Sequence, residues 1–83
     1  MKLRYFAWIR ERIGMTEEDV ELPPEIATVA DLLAWLEGRG PEYEHALAEP
    51  SVIRVAVDQV HAQRSASLAG AREVALFPPM TGG

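Results

Sequence analysis

Residues Thr28–Gly38 read TVADLLAWLEG, and this stretch decides the fold. Thr28 predicts an N-cap, and Asp31, three residues on, completes a capping box with it. Val29, Leu32, Leu33 and Leu36 recur at i, i+3, i+4 and i+7, one apolar stripe of an amphipathic helix. Gly38 or Gly40 stops it. Trp35 falls just off the stripe, a place for closing the edge of a core. A helix with one apolar face needs a surface to cover, and the flanking sequence supplies strands on both sides.

Toward the N-terminus, KLRYFA (residues 2–7) alternates. Leu3, Tyr5 and Ala7 point one way, and Arg4 and Phe6 the other, as in a strand with one more apolar face. WIRERIG then changes period: Ile9 and Ile13 stand four apart before Gly14, a short helical turn closed by glycine. A second strand is expected over Asp19–Leu22, ended by Pro23 and Pro24, which donate nothing to a ladder. The acids Glu17–Asp19 read as a solvated edge. Trp8 suits the core rim and a partner contact equally.

Toward the C-terminus, PEYEHALAE predicts a second, shorter helix from Pro41, a favoured first-turn position, ending before Pro50. VIRVAVDQ places Ile53, Val55 and Val57 on one face, with Asp58-Gln59 as a tight turn into a strand from Val60. SASLAGA is a loop of small residues anchored by Leu68. REVALF is the last strand, with Val74 and Leu76 inward and Glu73, Ala75 and Phe77 outward. The order is strand, strand, helix, then two or three strands: an α+β domain whose mixed sheet carries one main helix across one face. That is the β-grasp arrangement, which ubiquitin shares. Residues 1–77 form the domain and residues 78–83 an extended tail.

Composition narrows the function. The 83 residues carry a net charge of −5, from 13 acids and 8 bases, with no run of cations to meet a phosphate backbone. Nucleic acid is therefore not an expected partner, and neither is a membrane, since no apolar run approaches the roughly 18 residues of a span. The absence of cysteine suits a cytoplasmic setting and excludes chemistry that needs the protein's own thiol. His45 and His61 belong to no metal-ligand spacing and read as surface residues; no metal is expected. Ser51, Ser65 and Ser67 lack the setting of a strained nucleophile. Gly38 and Gly40 end a helix instead of opening one, the wrong polarity for binding an anion.

The tail is the unusual part. In EVALFPPMTGG (residues 73–83), Pro78 and Pro79 remove two ladder donors and fix two φ angles, so the chain leaves the sheet extended. Met80 is a flexible apolar side chain suited to an imprecise pocket. Gly82 and Gly83 carry no side chain, so such an end threads a narrow channel and leaves its carboxyl carbon unshielded.

Three stretches together resemble the MoaD-type branch of the MoaD/ThiS ubiquitin-like sulfur carriers, the small subunits of molybdopterin synthase. They are YFAWIRERIG (residues 5–14), VAVDQ (55–59) and EVALFPPMTGG, the last being the specific one. Asp58 stands where the family often has Asn. GAREV displaces the usual turn glycine and puts Arg72 in place of an acid; Leu76 replaces an aromatic, and Met80 a valine.

The resemblance implies that an E1-like activating enzyme consumes ATP to adenylate the carboxylate of Gly83. A sulfur donor protein then converts it to a thiocarboxylate, and no cofactor is held stably. The charged tail delivers its sulfur to cyclic pyranopterin monophosphate inside the large subunit, which holds the catalytic groups of a heterotetramer. Gly82, Thr81 and Met80 thread the channel. Phe77, Pro78, Pro79, Ala75 and Phe6 form the expected partner surface. The alternatives are a carrier for thiamine or cysteine synthesis, a protein modifier joined to lysines, and a plain binding module whose tail is never activated.

Overall fold

A computed structural model describes residues 1–79. These form five strands, three α-helices and a short 3-10 turn at Pro50–Val52: β1 (Lys2–Tyr5), α1 (Ala7–Ile13), β2 (Glu17–Asp19), α2 (Val29–Glu37), α3 (Pro41–Ala46), β3 (Arg54–Val57), β4 (Val60–Ala62) and β5 (Glu73–Phe77). The sheet order is β2-β1-β5-β3-β4. The central strands β1 and β5 run parallel, and every other pair is antiparallel. This mixed five-stranded sheet with its helices is the β-grasp fold.

The helical layer covers one face of the sheet. Val29, Leu32, Leu33 and Leu36 of α2 are all buried, in one core with Leu3, Tyr5, Val55, Val74 and Leu76 from the strands and Ile53 just before β3. The capping box of α2 is complete. The Asp31 amide donates to Thr28 Oγ1 at 3.2 Å, and the Ala27 and Thr28 amides donate to Asp31 Oδ2 at 3.0 and 3.1 Å. Those two backbone bonds hold the Asp31 carboxyl below the usual carboxylate range. Gly14 closes α1 in the left-handed conformation at φ 93°, donating to the Arg10 carbonyl. Leu68 anchors its loop in the core, and Trp35 packs partly buried against it.

The β3–β4 turn forms at Asp58 and Gln59, both left-handed with φ 48° and 69°. Asp58 compensates for the missing glycine. Its Oδ1 accepts from the Arg72 and Glu73 amides at 2.9 and 3.0 Å, tying the turn to the start of β5.

Several expectations are corrected. The second strand lies at Glu17–Asp19, not Asp19–Leu22, because β1 pairs Lys2 with Asp19 and Arg4 with Glu17. Glu17 and Asp19 are exposed on this edge strand, as expected, but the carboxylate of Glu18 between them turns inward. Ala7 does not continue the first strand's inner face. Phe6 donates to the Leu76 carbonyl and caps α1, while Ala7 turns the chain at φ 53° into the helix. The two short helices, α1 and α3, form where they were expected. Gly40 lies at the N-cap of α3 and so opens a helix, although only a six-residue one beginning with proline.

Candidate functional site

The face of the sheet away from the helices is the candidate interaction surface, and the register defines it. Residues paired across a ladder point to the same side. Arg54 pairs with Phe77, Ala56 with Ala75, His61 with Ala56, and Arg4 with Ala75. The outer face therefore runs from Arg4 through Ala75 and Phe77 to Arg54 and His61. Pro78 and Pro79 follow Phe77 directly, half-buried, so the tail departs from the end of the face where these side chains gather.

Phe6 closes that end of the patch. It is 38% exposed, with the Arg4 guanidinium 5.5 Å from its ring centroid. His61 sets its imidazole edge-on to Phe77, at 5.5 Å between centroids and 84° between planes. Beyond Phe77 a shallow groove is lined by Ser51, Arg54, His61, Gln63 and Arg64. Arg64 is committed within it, donating to the carbonyls of Pro50 and Ile53. The structure thus brings Phe6, Ala75, Phe77, Pro78 and Pro79 to one region. Met80, Thr81, Gly82 and Gly83 lie outside the described residues.

Ten of the 13 acids fall between Glu17 and Glu49, where Arg39 is the single base. On the outer sheet face, Lys2 pairs with Glu17 at 3.4 Å and Arg4 with Glu73 at 3.8 Å. Arg54 makes no ion pair among the described residues.

A second polar cluster sits inside the helical layer. Glu18 stands opposite Leu3 and so points inward, with 14% of its side chain exposed. Its Oε2 accepts from the Tyr5 and Tyr43 hydroxyls at 2.6 and 2.7 Å, and its Oε1 from Arg39 at 3.0 Å. Burial opposes the charged carboxylate, but these three donors outweigh it and hold Glu18 below the usual carboxylate range. Burial, and then the bond to Glu18, pushes Tyr43 up to about 12, and the same causes raise Tyr5 further. Arg39 lies over the rings of Trp35 and Tyr43, at 5.0 and 4.9 Å from their centroids. This cluster faces no groove. It joins the edge strand β2 to α3 and fixes the sheet whose other face carries the candidate surface.

Sequence reading missed Arg54, His61 and Glu18 as participants. The first two were recoverable: once Asp58-Gln59 is taken as the turn, alternation places both on the outer face beside Phe77. Glu18 left no such signal, because its partners lie 13, 21 and 25 residues away. The described residues hold no group of three or more His, Asp or Glu placed to bind a metal ion, and none of their helices is long and apolar enough to cross a membrane.

Comparison with known proteins agrees with this geometry. The ThiS family profile matches residues 3–83. A Pyrococcus furiosus structure, provisionally described as molybdopterin converting factor, subunit 1, is 30% identical with a TM-score of 0.76. The match covers 95% of each chain. SAMP1 from Haloferax volcanii is 29% identical with a TM-score of 0.74, over 100% of this chain and 98% of that one. A second structure from that organism, small archaeal modifier protein 1, is 28% identical with a TM-score of 0.68, over 96% and 97%. A search of curated proteins gave no match.

Proposed function

The chain belongs to the ThiS family, and on that premise we propose that it is the sulfur-carrying small subunit of a molybdopterin synthase. The observation that carries the reading is where the sequence FPPMTGG departs: from the end of a central strand, at the half-buried Phe77 and on the side of the sheet where Phe6 is exposed. The Pyrococcus furiosus neighbour, described as a molybdopterin converting factor subunit, supports this choice among sulfur-carrier pathways.

In this reading the carboxylate of Gly83 attacks the α-phosphate of ATP on an activating enzyme, forming an acyl adenylate and releasing pyrophosphate. A sulfur nucleophile then displaces AMP and leaves a thiocarboxylate. Adenylation is needed because a free carboxylate repels nucleophiles and has oxide as its leaving group. The chain has no cysteine, so Gly83 is where it holds the sulfur. Inside the large subunit the thiocarboxylate gives its sulfur to the pyranopterin precursor and returns as carboxylate. Pro78 and Pro79 stiffen the departing tail, so less freedom is lost on docking. The six residues after Phe77 reach at most about 20 Å, enough to carry Gly83 away from this domain and into a partner's active site.

The likeness to SAMP1 over the full chain favours one second reading, a protein modifier joined to lysines through the same activated glycine. The intact mass of the chain from its own cells distinguishes the two. Replacement of one oxygen by sulfur supports the carrier, and species joined through Gly83 to lysine support the modifier. The free acid alone, after incubation with ATP, activating enzyme and sulfur donor, refutes both. Deletion of Gly83 abolishes sulfur loading without unfolding the domain.

A further inference from the structure

The outer sheet face carries a charge that the rest of the molecule does not prepare one to expect. The chain is acidic overall, and its acids crowd into residues 17–49. Yet the cation that pairs with Phe77 across the β3–β5 ladder, Arg54, is exposed and makes no ion pair among the described residues. The neighbouring cations are committed: Arg4 to Glu73 and the Phe6 ring, and Arg64 to two backbone carbonyls. Arg54 also lines the shallow groove beside Phe77, with the His61 imidazole edge-on to that ring and Gln63 adding an amide. Arg54 and His61 join this groove to Phe77, the last residue before Pro78 and Pro79.

We infer that Arg54 is a specificity-determining contact that pairs with a carboxylate of the protein receiving the tail, in a segment where an acidic residue adjoins an apolar one. The apolar residue packs on Phe77 and Ala75 against the His61 edge, and the carboxylate reaches Arg54 across the groove. A guanidinium matches a carboxylate through two parallel N–H donors, which fixes orientation as well as adding attraction. Orientation is what a tail-threading complex needs. An acidic segment also meets a cation that makes no ion pair among the described residues, whereas the β2 end of the same face carries Glu17, Asp19 and Glu73, so repulsion turns other approaches away. A nucleotide phosphate is a poorer occupant, because the groove lies beside Phe77 while the reacting carboxyl is six residues further on.

This inference rests on the sulfur-carrier reading, and the test separates the two. Affinities of the full-length chain for the large subunit and the activating enzyme of its own genome are measured at low and high salt. Wild type is compared with Arg54→Glu, Arg54→Gln, Phe77→Ala and Arg72→Glu. The last makes the same charge change at the other end of β5.

Arg54→Glu is expected to weaken binding to at least one protein about tenfold or more and to flatten its salt dependence. Arg54→Gln is expected to fall between, and Arg72→Glu to stay within about twofold. An acidic residue of the partner changed to arginine is expected to restore the Arg54→Glu complex. If Arg54→Glu stays folded and binds both proteins within twofold of wild type, the inference is overturned. If Phe77→Ala still weakens binding in that case, the sulfur-carrier reading survives. Equal losses from Arg54→Glu and Arg72→Glu also overturn it, since net charge alone would then explain the effect. A wild-type chain that binds neither protein removes both.

Discussion

Replacing Glu18 should cost this small domain a large share of its stability. The carboxylate accepts from two tyrosines and an arginine, all in a site mostly closed to water. A hydrogen bond to a charged group contributes about 1.5–3 kcal/mol, and an orphaned buried hydroxyl costs about 1–3 kcal/mol. These contributions overlap, because one carboxylate serves all three donors and Arg39 keeps its stacking on Trp35 and Tyr43. Tyr5 and Tyr43 are both buried, so neither hydroxyl is readily satisfied by water once the carboxylate is gone. Glu18→Ala should therefore lose about 3 kcal/mol, and Glu18→Gln, which keeps an acceptor oxygen, about 1.5 kcal/mol. For a domain of this size the alanine variant should melt roughly 12–24 °C lower.

The pH dependence is a sharper check. Glu18's folded pKa lies below its ordinary value of 4.5. Its contribution is therefore fully present above that unfolded value and is lost as pH falls through the folded one. Urea titrations of wild type and Glu18→Gln between neutral pH and the acid limb should converge as pH drops. A loss below about 0.5 kcal/mol in Glu18→Ala, or parallel stability curves on the acid side, would refute the cluster's role.

The remaining predictions concern other links in the fold. Tyr5 and Tyr43, the two tyrosines of the chain, should stay protonated in the native protein well past the ordinary midpoint near 10. Their contribution is present below the unfolded value and lost as pH rises through the folded one, which for Tyr43 is about 12. Tyrosinate absorbance should then rise together with unfolding, and a midpoint near 10 in folded protein would contradict this. Gln59→Gly, at φ 69°, should stabilise the β3–β4 turn by about 0.5–1 kcal/mol in chemical denaturation. Thr28→Ala should remove the hydroxyl half of the capping box at about 1 kcal/mol, read as a fall in melting temperature of about 4–8 °C.

The elements whose signals are local were legible from the sequence by itself. The capping box, the apolar stripe of α2, Pro41 opening α3, the Asp58-Gln59 turn and the alternation of β3 and β5 each depend on residues a few positions apart. Their order also limited the topology to the β-grasp arrangement, and the tail drew attention to itself through its prolines and glycines. Tertiary structure alone decided the rest. Whether Glu18 faces solvent or core turns on the pairing of Leu3 with Glu18, and a slip of one residue would have buried Glu17 or Asp19 instead. Ala7's left-handed turn is imposed by Phe6, which holds to β5 while capping a helix, a demand no propensity of alanine announces. Likewise, the pairing of Arg54 with Phe77 requires β3 and β5 to be neighbours in a given register, although 23 residues separate them in sequence. Periodicity says which face a side chain shares with its own strand; only the ladder says what stands beside it.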